Sequence, residues 1–213
     1  VQLAIKAVAE FPSRWMLLLH GIYGTGGNLR TLARRLADLA PTWGFVLPDL
    51  RGHGASHGHT PPHTVAAAAS DLAALTVELG GDFAGVCGHS FGGRVALAWL
   101  AAQARGPRTL VLLDTHPGSE GRRVLEGEVG RVLATLESLT WPLASREDVV
   151  RQLVAAGQPR AIASWLAMQT QTTAGGVILR MQLPVVRGLL EDYDRGDAWP
   201  MLEQLPAEVR ARV

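Results

Sequence analysis

The chain has 213 residues with 20 basic and 19 acidic side chains, and this net charge of +1 argues against nucleic acid or an anionic membrane surface as the main partner. Its length suits one domain with a large core, and no apolar run approaches the roughly 20 residues of a membrane span. The single cysteine, Cys87, excludes an internal disulfide, so a cytoplasmic setting is the default expectation.

Strand-like and helix-like segments alternate along the first half of the chain. The expected strands are an edge strand within 1–11 and buried strands at 15–19, 44–47, 82–87 and 109–113. The expected helices are 29–39 with Asn28 as its cap, one that Thr64 caps and that runs to about Leu79, and one at 93–102. This rhythm predicts an α/β fold with a doubly wound, mostly parallel sheet and helices on both faces.

The alternation stops after Asp114. Helices are expected at 122–138, 146–156, 159–171 and 177–190, with Pro184 interrupting the last one. We interpret this stretch as a helical cap inserted after the strand that ends at Asp114. The domain prediction is therefore an α/β core at 1–116, a cap at 117–190 and a return to the core at 191–213, where residues 208–213 predict the beginning of one more strand.

Residues 88–92 read Gly-His-Ser-Phe-Gly and lie between a predicted strand and a predicted helix. A serine between two glycines at such a corner indicates a nucleophile elbow. The turn is tight enough to strain the serine backbone and to exclude side chains at positions 88 and 92. It would hold the Ser90 hydroxyl at the positive end of a helix, where the backbone N–H of Phe91 can face developing negative charge.

Three blocks of the chain resemble the α/β-hydrolase superfamily in order and separation. They are Leu-Leu-Leu-His-Gly at 17–21, Pro-Asp-Leu-Arg-Gly-His-Gly-Ala-Ser at 48–56, and Gly-His-Ser-Phe-Gly-Gly at 88–93. The second block looks most like small abhydrolase-type serine esterases. The resemblance implies a serine hydrolase that acts on small-molecule carboxylic esters or thioesters through an acyl-enzyme on Ser90. It further implies an oxyanion hole formed by the N–H groups of Ile22 and Phe91, and no cofactor.

The resemblance also implies a catalytic triad, in which a histidine base and a carboxylate acid accompany Ser90. Asp114 ends the strand after the elbow, where some members of the superfamily place the triad acid, whereas in most others the acid would fall beyond Val213. The base comes last in the family's chain order, yet the final histidine here is His116. We therefore expect a C-terminally incomplete fold that lacks on the order of 40 to 60 residues, the base among them. The 213-residue chain alone should be nearly inactive, because a serine without a base is a poor nucleophile.

Other interpretations stay open. The chain could be a non-catalytic member of the fold that binds a ligand or a partner, or the same serine constellation could serve C–C bond hydrolysis, haloperoxidase-like chemistry or a lyase reaction. Asp49 is expected to hold its own loop and His20 to support the oxyanion loop. The four histidines within residues 53–63 match no firm ligand pattern, so no metal is predicted. The oligomeric state is left open.

Overall fold

The computed structural model describes residues 7–8, 12–103, 109–118 and 123–212. The strands of its main sheet are β1 (Ala7–Val8), β2 (Arg14–Leu19), β3 (Trp43–Val46), β4 (Gly85–His89), β5 (Thr109–Leu113) and β8 (Arg210–Arg212), and a separate hairpin consists of β6 (Thr170–Thr173) and β7 (Gly176–Leu179). The helices are α1 (Arg30–Leu39), α2 (Val65–Glu78), α3 (Phe91–Ala101), α4 (Glu128–Ser138), α5 (Arg146–Ala155), α6 (Arg160–Met168), α7 (Leu183–Arg195) and α8 (Trp199–Glu203).

The main sheet has the order β1-β3-β2-β4-β5-β8, and every pairing in it is parallel except that of β1 with β3. The predicted mostly parallel sheet is therefore confirmed, as is the additional strand near the end of the chain. Of the edge strand expected within 1–11, residues 7–8 are described and form β1, and the remainder lies outside the described residues. Because parallel strands end at the same edge, the segments that follow β2, β4 and β5 converge there.

Alternate side chains of the buried strands face opposite sides of the sheet. Leu17 and Leu19 of β2 join the core formed with α2 and α3, whereas Leu18 joins a second core formed with α1. Helices thus cover both faces, as predicted. Beside α1, an apolar groove of about 390 Å³ runs along the sheet and is lined in part by Cys87, Val111 and Leu113.

Two expectations about helix starts have different outcomes. Thr64 caps α2 as predicted, because its Oγ1 accepts a hydrogen bond from the N–H of Ala67 at 3.0 Å. Asn28 does not cap α1. It lies within a 3₁₀ turn at Gly26–Leu29, and its Oδ1 accepts a hydrogen bond from the N–H of Thr25 at 2.7 Å.

The cap contains a β-hairpin where the sequence predicted helix. Residues 170–173 and 176–179 pair antiparallel as β6 and β7, so the helices expected at 159–171 and 177–190 were wrong over these residues. The β-branched threonines of β6 and the Ala-Gly turn favour a hairpin. Gly176 has a φ of +126°, and a Cβ there would lie 2.2 Å from the carbonyl oxygen of Leu143. Pro184 sits in the first turn of α7 rather than interrupting it.

The cap has a hydrophobic core of its own, built from α4, α5, α6, β7 and α7. Helix α7 faces both cores: Val185 and Leu189 pack into the core beside α2 and α3, while Val186 and Leu190 pack into the cap. The domain boundaries at 116 and 190 stay predictions. None of the described helices is both long and apolar enough to cross a membrane.

Candidate active site

Ser90 forms the corner between β4 and α3 with φ +50° and ψ −117°, a combination that L-residues rarely adopt. Such a backbone persists only where its surroundings hold it. The Ser90 N–H donates to the Leu113 carbonyl at 2.9 Å, and the Gly93 N–H donates to the Ser90 carbonyl at 2.9 Å. The hydroxyl of Thr115 lies 3.1 Å from the same Ser90 carbonyl. The corner is thus held by β5, by the segment that follows β5 and by its own helix.

The flanking glycines leave no room for side chains. A Cβ at Gly88 would lie 2.3 Å from the Gly92 carbonyl oxygen, and one at Gly92 would lie 2.5 Å from the His20 carbonyl oxygen. Contacts this short with backbone atoms cannot be relieved by a change of rotamer. The exclusion of side chains predicted for positions 88 and 92 is therefore observed.

The loop after β2 approaches Ser90 closely. A Cβ at Gly21 would lie 3.4 Å from the Cβ of Ser90 and 2.7 Å from Nδ1 of the exposed His89. Within the described residues, the backbone N–H groups of Ile22 and Phe91 enter no turn, loop or cap hydrogen bond with a carbonyl. The assignment of these two amides as an oxyanion hole stays a prediction.

His20 is held in one tautomer beneath this loop. Its Nδ1 lies 2.8 Å from the Gly21 carbonyl, and its Nε2 accepts a hydrogen bond from the Leu50 N–H at 2.9 Å. The proton is therefore on Nδ1. Burial lowers the pKa of His20 to about 4, so the ring is neutral near pH 7. With both nitrogens engaged, His20 supports the loop and has no lone pair left for Ser90.

The block at 48–56 ties several loops together. Asp49 accepts hydrogen bonds from the N–H of Gly26 at 2.8 Å and from the N–H of Ala55 at 3.0 Å. Arg51 binds Asp71 of α2 through two hydrogen bonds of 2.6 and 2.8 Å. Asp49 and Arg51 therefore hold the surrounding loops in place, as the sequence predicted for Asp49.

His53 is fully buried at the contact between this block and the cap. Its Nδ1 lies 2.9 Å from the Arg51 carbonyl, and its ring centroid lies 5.1 Å from that of His20. Its backbone forms an isolated antiparallel β-bridge with Met181. Burial, and then the charge of His20, lower the pKa of His53 to about 3. A histidine this difficult to protonate is unsuited to act as a base at neutral pH.

Asp114 follows β5 at the position that corresponds to Ser90 after β4, because His89 and Leu113 pair in register. Asp114 is exposed, has a φ of +48°, and its carboxylate forms no hydrogen bond or ion pair with a described residue. His116 faces elsewhere, since its Nδ1 lies 3.2 Å from the Gly118 nitrogen and its ring lies 6.4 Å from that of Trp199. The structure therefore brings Asp114 and Ser90 to one edge, but no described histidine bonds to Ser90.

Two residues near the corner were missed by the sequence analysis. Arg94 is buried in α3, where a charged residue inside an otherwise apolar helix was an available signal. Tyr23 follows Ile22 and reaches the cap, where its hydroxyl donates to the Val129 carbonyl at 2.6 Å. Nothing in the sequence around Tyr23 indicated that its side chain would bond to the cap.

Comparisons with known proteins identify the fold family of the chain. A family model described as alpha/beta hydrolase fold matches residues 14–139. Lipase LipV of Mycobacterium tuberculosis is 40% identical over 115 residues, which cover 54% of this chain and 42% of the lipase. N-formylmaleamate deformylase of Pseudomonas putida is 34% identical over 113 residues, which cover 47% of this chain and 42% of that enzyme. The chain thus matches less than half the length of these curated relatives.

Similarity to solved structures extends over more of the chain. A marine microorganism esterase superposes with a TM-score of 0.77 at 21% sequence identity, covering 90% of this chain and 72% of the esterase. A likeness at this identity establishes the fold alone. The fold class predicted from the sequence is confirmed.

Proposed function

The chain belongs to the α/β-hydrolase fold family, and on that premise we propose that it forms the core of a serine hydrolase acting on small-molecule carboxylic esters or thioesters. One observation carries the proposal: the strained corner at Ser90 lies against the loop after β2, and the N–H groups of Ile22 and Phe91 have no backbone partner among the described residues. Such corners are costly and are retained where they serve chemistry. The lipase and deformylase among the relatives support hydrolysis as the reaction class.

In the proposed reaction, Ser90 Oγ attacks the substrate carbonyl and its proton passes to a base. The oxyanion that forms accepts hydrogen bonds from the N–H groups of Ile22 and Phe91, each contributing about 3 kcal/mol in the transition state. Loss of the alcohol or thiol leaves an acyl group on Ser90, and water then releases the acid. No cofactor takes part in this sequence.

We assign the base to a residue outside those that the structure describes, since no described histidine bonds to Ser90. Asp114 is our candidate for the acid that orients this base, because its exposed carboxylate at the end of β5 is free of hydrogen bonds and ion pairs to described residues. A carboxylate in this role would stabilise the protonated imidazole. A carboxylate elsewhere in the protein remains the alternative to Asp114.

The lack of a base beside Ser90 among the described residues favours a second candidate function. In that alternative the protein is a non-catalytic member of the family, and the surface around Ser90 holds a ligand or a partner without forming an acyl-enzyme. Covalent chemistry at Ser90 separates the two functions.

The test uses the protein as its natural gene encodes it, treated with a fluorophosphonate and with a short p-nitrophenyl ester. We expect labelling on the peptide that contains Ser90, a burst of p-nitrophenol, and loss of both in Ser90→Ala. The matched control is Ser70→Ala, since Ser70 is an exposed serine of α2 whose hydroxyl only bonds its own helix, and it should react like the unaltered protein. Labelling that persists in Ser90→Ala would contradict the proposal. A folded protein that is not labelled at all would favour the binding alternative.

A further inference from the structure

Tyr23 belongs by sequence to the loop after β2, yet its side chain belongs to the cap. It is 4% exposed and packs in the cap core with residues such as Leu133 and Leu136 of α4. Its hydroxyl donates to the carbonyl of Val129, which lies in the first turn of α4, at 2.6 Å and 106 residues further along the chain. A single side chain thus joins the loop beside Ser90 to a cap helix.

The backbone at Tyr23 needs this attachment. The N–H of Gly24 donates to the Gly21 carbonyl at 3.0 Å, which closes a four-residue turn with Ile22 and Tyr23 at its centre. Tyr23 has a φ of +66° at the third position of the turn, where glycine or asparagine is usually required. If the side chain were released, φ would favour negative values, and the peptide between Ile22 and Tyr23 would have to turn over. Because that peptide carries the Ile22 carbonyl and the Tyr23 N–H, the rotation changes the ψ angle of Ile22, and the Ile22 N–H would shift as the turn adjusts to it.

The Tyr23 hydroxyl is a persistent donor. Burial, and to a lesser extent the nearby charge of Glu137, raise the pKa of Tyr23 well above its ordinary value. The phenol therefore stays protonated at neutral pH and can donate to Val129 throughout the range in which most hydrolases are assayed.

We propose that Tyr23 is a positioning residue that aligns the Ile22 N–H with Ser90 only while α4 is seated on the loop. This inference rests on the proposed function, because it concerns the amide assigned there to the oxyanion. Tyr23 acts through Ile22 and does not touch the substrate. A substrate that holds the cap in place would complete the oxyanion hole as it binds, so cap closure and transition-state stabilisation are coupled.

The kinetic test is Tyr23→Phe, which keeps the buried ring and removes one hydrogen bond. In the protein expressed from its natural gene, we expect kcat for a p-nitrophenyl ester and the rate constant of fluorophosphonate labelling to fall about 10- to 100-fold. KM should change less than about twofold, since the lost interaction acts in the transition state. Ser70→Ala, which also loses a hydroxyl-to-carbonyl bond, should keep both values. Tyr23→Phe with unaltered kcat, in a protein whose labelling depends on Ser90, would overturn the inference and leave the proposed function intact.

Amide hydrogen exchange supplies a readout that needs no catalysis. In the unaltered protein, the hydrogen-bonded amides of Gly24 and, in the first turn of α4, of Gly130 and Arg131 should exchange at a common rate. Tyr23→Phe should accelerate exchange at Gly24. Independent rates for the two segments in the unaltered protein would overturn the coupling even if the variant failed to fold. Absence of labelling in the unaltered protein would instead count against the proposed function, so the two failures are distinguishable.

Discussion

The guanidinium carbon of Arg94 lies 4.4 Å from the ring centroid of Tyr193, and that ring in turn lies 6.3 Å from the ring of Phe91. Arg94 is in the first turn of α3, one turn after Ser90, and Tyr193 is in α7. The same guanidinium donates at 2.8 to 2.9 Å to the carbonyls of His116, Gly118 and Gly196. One buried cation therefore fastens to the elbow helix both the segment that leaves β5 and the segment that follows α7.

Replacing Arg94 should loosen both segments at once. We expect Arg94→Met to lower the free energy of unfolding by about 3 kcal/mol, because three carbonyls lose a charged donor. Arg94→Lys should recover only part of this, since an ammonium group lacks the planar fork that reaches three acceptors. Urea denaturation measures the change, and Arg34→Met on the exposed face of α1 is the control, expected to change stability by less than about 0.5 kcal/mol. Equal stabilities of the Arg94 and Arg34 variants would contradict the role of Arg94 in holding the two segments to α3.

Gly92 should tolerate no side chain. Gly92→Ala places a Cβ 2.5 Å from the His20 carbonyl oxygen, where only backbone movement can relieve the contact. We expect a loss of about 2 to 3 kcal/mol in the free energy of unfolding and displacement of the loop beside Ser90. Gly175→Ala is the matched control, because its Cβ would lie 3.6 Å from Cγ of Pro142 in ordinary contact. Thermal melts of the two variants make the comparison, and a Gly92→Ala protein as stable as Gly175→Ala would refute the steric argument.

The parts of this structure that the sequence predicted are those with local causes. The strand 109–113 was predicted with its observed bounds from one apolar run, and Thr64 was recognised as a cap from its own side chain. The Ser90 corner was predicted for the same reason, since strand, glycines and helix are contiguous in sequence. Hairpin 170–179 was missed because its two strands are only four residues long, too short for an alternating pattern to stand out between two helices, although the threonines of β6 favour a strand.

The contacts that position the site have non-local causes. Arg94 reaches Gly196 across 102 residues and Tyr23 reaches Val129 across 106, so no window of sequence contains both partners. The Asn28 prediction failed similarly: a 3₁₀ turn forms before α1 because Gly26 fits against the backbone of Leu47, where a Cβ would lie 2.4 Å from the carbonyl oxygen. Tertiary packing, rather than local preference, decides such positions.

The Arg51–Asp71 pair should contribute more to stability than a surface ion pair. The two side chains are only 7% and 15% exposed, and they share two hydrogen bonds. Asp71→Asn leaves the buried guanidinium without its counter-charge, so we expect a loss of about 3 kcal/mol in the free energy of unfolding. Glu126→Gln removes the matching carboxylate from the exposed Arg123–Glu126 pair, at 72% and 69% exposure, and should cost less than about 0.5 kcal/mol. Similar costs for both variants in urea titrations would show that burial gives the inner pair no advantage.

Acid should destabilise the protein through His20 and His53. Burial lowers their pKa values to about 4 and about 3, whereas both titrate near 6.5 in the unfolded chain. Between pH 6.5 and pH 4 the unfolded state therefore binds more protons than the folded state, so stability falls as the pH is lowered and is fully present above pH 6.5. From pH 7 to pH 5 the two histidines together should remove about 3 to 4 kcal/mol, on the order of half from each.

His53→Gln isolates one of these contributions, because glutamine offers an N–H to the Arg51 carbonyl but takes up no proton. Whatever its stability at pH 7, the variant should lose about 2 kcal/mol less between pH 7 and pH 5 than the unaltered protein, since the contribution of His53 is then absent. Urea denaturation at pH 7, 6 and 5 gives the slope for each protein. Identical slopes of stability against pH in the two proteins would mean that His53 takes up a proton in the folded state as easily as in the unfolded chain. That result would contradict its full burial beside His20.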